Sequence, residues 1–127
     1  MSEVRANTLS NAAGTGPAAL TGQSPAKVWF HYDQTVPQLD DSFNVASFTD
    51  LASGQFEISL TNAMASGTYS VSGSGIGSNI SAAETYNFGS LSVAKAVSSF
   101  RVSSYSANQN NFRDLNEGQG VVHGDLA

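Results

Sequence analysis

The sequence predicts an all-β fold, a small antiparallel β-sandwich of jelly-roll-like form, with about seven short strands preceded by an extended N-terminal arm. Three observations predict it. Charged residues make up only 12 % of the 127-residue chain, and Ser, Thr, Asn, Gln, Gly and Ala fill the deficit. Thr is at home in strands and Ser, Asn and Gly supply turns, whereas long helices held by Glu–Lys pairs need more charge. Short runs of alternating polarity recur with turn residues between them, and one segment alone carries a weak helical pattern.

Residues 1–26, MSEVRANTLSNAAGTGPAALTGQSPA, hold Met1, Val4, Leu9 and Leu20 as their large apolar side chains. These are too sparse to bury a face, and Gly14, Gly16 and Pro17 interrupt any helix begun at Leu9. The segment reads either as a flexible leader or as an arm that orders against another subunit. At Lys27 the pattern changes. In KVWFHYD, Val28, Phe30 and Tyr32 share one strand face, and Trp29 and His31 share the other. Bulk on both faces predicts a first strand covered on both sides. The β-domain is therefore assigned to residues 27–127.

Asp33 to Ser42, with Pro37, Asp40 and Asp41, reads as a loop. Phe43, Val45 and Ser47 alternate with Asn44, Ala46 and Phe48, giving a second strand. TDLASGQFEIS is a hairpin signal: Asp50, Ser53 and Gly54 separate the run ending at Phe48 from Phe56, Ile58 and Leu60. A third strand thus covers about Gln55 to Thr61. Tyr69 and Val71 mark a fourth, after the loop TNAMASG. SGSGIGSNISAAETYNFGS reads as a long loop or irregular edge with a short strand around Tyr86 to Phe88. LSVAKAV fits a short helix or a strand. Phe100 and Val102 against Arg101 and Ser103 give another strand, SANQNNFRDLNEGQG is a polar excursion, and VVHGD closes the chain as a last short strand.

The totals exclude several functions. One domain of this length buries a modest core without staples. Cysteine is absent, so no disulfide, thiolate metal site or cysteine nucleophile exists. Five basic against ten acidic residues leave a net charge of −5, which cannot supply the basic face that nucleic acid requires. No stretch approaches the roughly 18–20 apolar residues of a membrane-spanning helix, so no membrane insertion is expected. MSEVRANTLSNAAG lacks a basic region followed by an apolar one, so synthesis and folding in a cytoplasm are expected.

Catalytic sets are thin, and neither enzymatic activity nor a cofactor is expected. His31 and His123 lie in the first and last strands, which can be neighbours in a sandwich, but no third ligand stands at a telling spacing; structural histidines are the expectation. Asp40 and Asp41 would point apart in a strand and read as a solvated turn. GSGIG (Gly73 to Gly77) lacks the spacing and Lys-Ser/Thr of a phosphate loop and reads as a turn. SANQNNFR (Ser106 to Arg113) sets amides beside an aromatic ring, the combination a sugar site uses; Asn108, Asn110, Phe112 and Arg113 are its candidate glycan contacts, against an exposed polar loop.

RANTLSNAAGTGP, then LTGQSPAKVW, then DSFNVASFTDLASGQFEISLTNAMASGTYSV resemble a family of small bacteriophage virion proteins of the tail fibre or minor structural type, frequent in phages of marine bacteria. The resemblance covers roughly residues 5–75, more weakly SSFRV and VVHGD. Two departures stand out: DQTVPQLDD is more acidic and proline-bearing than the family's glycine-rich loop, and His123 stands where an apolar or aromatic residue is usual. The resemblance implies a non-enzymatic, homotrimeric virion component on the particle exterior. It would be a tail fibre or appendage part that contacts a host surface glycan or protein, made in the host cytoplasm. It makes residues 1–26 a docking arm, with Arg5, Asn7, Leu9 and Leu20 as contacts to tail, collar or capsid proteins. A capsid decoration protein clamping shell subunits is the alternative, favoured by the lack of a repetitive shaft. A free carbohydrate-binding module is a third reading, and it leaves the arm unexplained.

Overall fold

A computed structural model describes residues 13–14, 25–77, 86–90, 95–107 and 109–127. The arm residues Arg5, Asn7, Leu9 and Leu20, and most of LSVAKAV, lie outside these. Among the described residues there are nine strands and no helix: β1 (Val28–Asp33), β2 (Gln38–Phe43), β3 (Val45–Ala52), β4 (Gln55–Leu60), β5 (Ser70–Gly77), β6 (Tyr86–Ser90), β7 (Ser99–Ser106), β8 (Asn111–Phe112) and β9 (Leu115–His123). They form two antiparallel sheets in the orders β2-β1-β9-β5 and β3-β4-β7-β6, with the short β8 added on β7. The expected small β-sandwich is what the chain builds.

Period-2 alternation sets the core. Val28, Phe30 and Tyr32 of β1 and Val122 of β9 face Phe56 and Ile58 of β4 and Phe100 and Val102 of β7, all buried. Phe56 is central: its ring lies 4.5 Å from that of Tyr32, 4.9 Å from Phe48 and 6.3 Å from Phe30. Tilted, stacked and edge-on contacts of this kind add to the area that each ring removes from water.

The hairpin read from TDLASGQFEIS is present, with Ala52 opposite Gln55 and Phe48 opposite Ile58. Gly54 closes it at φ 64°, a conformation that costs other residues a Cβ clash. Its N–H donates to Asp114 Oδ1 at 2.6 Å and its carbonyl accepts from Ser104 N at 2.8 Å, tying the turn to β7 and to the segment after β8. Gln34 ties the other turn at this end: buried, it donates through Nε2 to Asp50 Oδ1 at 3.0 Å.

Four expectations are corrected. The run Phe43 to Phe48 is broken at Asn44, whose φ of 59° turns the chain from β2 in one sheet to β3 in the other. Asn44 is held there by side-chain bonds to Lys27 O and to Asn62. Asp33 to Ser42 is not all loop: only residues 34–37 turn, and Gln38 onward pairs with β1 as an edge strand, where charged residues are tolerated. Gly73 to Gly77 is strand rather than turn, and the last strand begins at Leu115 rather than near Val121.

Glycine explains the last two. Gly118 and Gly120 face the core directly opposite Tyr32 and Phe30, whose rings lie where their side chains would be; a Cβ would come 2.2 Å from Tyr32 Cζ and 2.3 Å from Phe30 Cζ. Across the next ladder Gly118 pairs with Gly75 and Gly120 with Gly73. At Gly118 and Gly120, β9 contributes backbone and leaves the bulk to β1.

Candidate functional site

If Val28, Phe30 and Tyr32 point inward, Trp29 and His31 must point out. Nothing among the described residues covers that outer face, contrary to the expectation of a strand covered on both sides. Trp29 is 39 % exposed and its ladder partner Phe43 is 53 % exposed. Val121 stands opposite Trp29 on the other flank, and Ser72 stands opposite Val121 on β5. The sheet therefore presents a row Phe43–Trp29–Val121–Ser72, and next to it a row Asp41–His31–Gln119–Ser74.

A groove of about 660 Å³ runs over this face, with Trp29, His31, Ser72, Ser74, Gln119 and Val121 on its walls. A smaller recess of about 270 Å³, reaching Ile76 and Glu117, shares Ser74 and Gln119 with it. Gln119 Nε2 donates to Ser74 Oγ at 3.1 Å, which orients the amide where the two meet. No Lys or Arg lines either one among the described residues.

The second row carries charge. The β1–β2 register shifts between His31 and Tyr32, so Asp41 opposes His31, Leu39 opposes Tyr32, and Asp40 is the extra residue of a bulge. The bulge brings Asp40 Oδ2 to 2.9 Å from His31 Nδ1, a position that regular alternation denies it. Glu117 Oε1 lies 3.5 Å from the other ring nitrogen. His31 is held above its ordinary pKa chiefly by the Asp40 hydrogen bond; burial opposes this, and the Glu117 hydrogen bond adds a lesser upward effect.

Both ring nitrogens of His31 are engaged by carboxylates on opposite edges, so the carboxylates do not converge. Among the described residues no His, Asp and Glu side chains gather in a group that could hold a metal ion. β1 and β9 are neighbours, yet His31 faces Gln119 while His123 faces Ser70 further along the sheet. The two histidines do not share a site.

The glycan contacts expected in 106–113 lie on the other sheet. Asn108 is outside the described residues. Asn110, exposed and at φ 52°, accepts the Tyr105 hydroxyl on Oδ1, and Phe112 packs edge-on to Tyr105 at 5.3 Å. The Arg113 backbone bonds Ser104 on both sides, N–H to Ser104 O at 3.2 Å and carbonyl from Ser104 Oγ at 2.5 Å. The structure brings Asn110 and Phe112 together on Tyr105 and engages the Arg113 backbone in holding the loop to β7. Sequence reading looked there because amides cluster in the chain. The Trp29 face is assembled from four strands, and its one sequence signal was that Trp29 and His31 share a face of β1.

Fold and face together define a β-sandwich with one open, aromatic-bearing sheet surface. No family model, curated protein or solved structure matches the chain. No helix among the described residues is long and apolar enough to cross a membrane.

Proposed function

We propose that this chain is a non-enzymatic structural protein of a bacteriophage virion, displayed on the particle exterior as part of a homotrimeric tail fibre or appendage. Its sandwich faces outward and residues 1–26 dock onto tail, collar or capsid proteins. The observation that carries this reading is the open face of the β2-β1-β9-β5 sheet. A domain that has completed its core between two sheets, and still exposes Trp29 and Phe43 beside a groove, carries a surface for contact with something outside itself. The resemblance of the arm, the Trp29 strand and the hairpin to phage virion proteins supplies the setting.

The test is incorporation. The full chain is expected in purified particles, and at about three chain masses by light scattering in solution. A chain lacking residues 1–24 should fold, because β1 begins at Val28, yet be missing from particles. Normal incorporation of the truncated chain would remove the docking arm from the proposal. A full chain absent from particles would remove the virion.

A further inference from the structure

We infer that the groove over β1, β9 and β5 binds a neutral saccharide, with Trp29 as the stacking platform and Gln119, Ser72 and Ser74 as hydrogen-bonding partners. This rests on the reading of that sheet face as the protein's contact surface.

Size, chemistry and charge agree. The 660 Å³ groove falls within the roughly 300–1,000 Å³ that small-molecule sites occupy, and the recess beyond Gln119 extends it along the sheet. That elongated form suits more than one sugar ring. A pyranose has a C–H face and a rim of hydroxyls. The C–H face packs on the electron-rich face of an indole, and the hydroxyls, which both donate and accept, match an amide and two serine hydroxyls. Gln119 is already oriented by its bond to Ser74, so little side-chain freedom is lost when a ligand arrives.

Charge narrows the class. Asp40, Asp41 and Glu117 border the site, and the charge of His31 is engaged between two of them. A carboxylated or sulfated sugar would meet negative charge with no Lys or Arg lining the groove to offset it. A second copy laid face to face would set these same carboxylates against each other.

Trp29 is the chain's one tryptophan, so intrinsic fluorescence reads the site directly. The full-length protein would be titrated with neutral glucose, galactose, mannose and N-acetylglucosamine oligosaccharides, with hyaluronan oligomers as the acidic control. A saturable Trp29 shift with at least one neutral series, at millimolar concentration or below, is expected. Gln119→Ala should weaken that binding by about tenfold with melting unchanged, since its side chain is exposed. By calorimetry, Trp29→Phe should retain part of the affinity and Trp29→Ala lose it. Silence toward every neutral series, a response to the acidic control alone, or full affinity in Gln119→Ala would each overturn the site. So would a Trp29 signal that changes on dilution of the protein alone, which would give the face to a second copy. Presence in particles is scored independently, so a chain missing from virions leaves the titration to decide the site on its own.

Discussion

Tyr32 lies directly across the β1–β9 ladder from Gly118, and its ring fills the space a side chain at residue 118 would need. Phe30 and Gly120 repeat the relationship one pleat along the same strands. Gly118→Ala would place a methyl group 2.2 Å from Tyr32 Cζ, inside a core ring that cannot swing toward solvent. Overpacking of this kind costs about 1–3 kcal/mol, read as a lower denaturant midpoint at constant slope. An unchanged midpoint would mean that the Tyr32 ring is free to shift.

The hydroxyl of the same ring has a different fate. Tyr32 is buried, and its Oη has no hydrogen-bond partner among the described residues. Desolvation pushes its pKa well above the ordinary tyrosine range. Tyr32→Phe removes the unpartnered group and keeps the ring, so it should leave stability unchanged or raise it by about 1 kcal/mol. A loss of that size in thermal unfolding would show that the hydroxyl finds a partner.

The bulky strands were legible in the sequence and the glycine strands were not. Val28/Phe30/Tyr32 and Phe56/Ile58/Leu60 alternate in the open, and Ser53-Gly54 between two such runs announces a hairpin. Gly73, Gly75, Gly118 and Gly120 carry the same alternation with no side chain to show it. The role of Gly118 and Gly120 depends on rings that arrive from β1, and that of Gly75 on Leu115 across the β5–β9 ladder, relationships between strands far apart in the chain. The site was hidden for a related reason. Asp40 beside Asp41 predicts opposed side chains in a regular strand, and only the bulge against β1 brings Asp40 to His31. Nor does a sequence say whether the outward face of a two-sided strand is covered.

That last point changes what Trp29 contributes. With an exposed ring on the sheet's outer face, Trp29→Ala should shift stability by no more than about 1 kcal/mol. Phe56→Ala, at the centre of the aromatic cluster, should cost about 3–5 kcal/mol. Paired urea titrations compare the two directly. Equal losses would place Trp29 under cover in solution, by another copy or another part of the chain.

His31 gives the fold a pH dependence whose sign follows from its partners. The groups that face it are Asp40 and Asp41 on β2 and Glu117 and Gln119 on β9. The Asp40 hydrogen bond, the largest effect, raises the folded pKa above the ordinary 6.5. The folded state therefore holds the imidazolium proton more tightly than the unfolded chain does. The resulting stability is fully present below the unfolded pKa and is lost as pH rises through the folded one. Melting temperature should fall over that window, while His31→Gln should flatten the decline. Proton-detected titration of the imidazole should place the His31 midpoint above 6.5, and Asp40→Asn should lower it. A His31 midpoint at or below 6.5 in the unaltered protein would sink the pairing with Asp40, and with it the bulge as the device that charges this face.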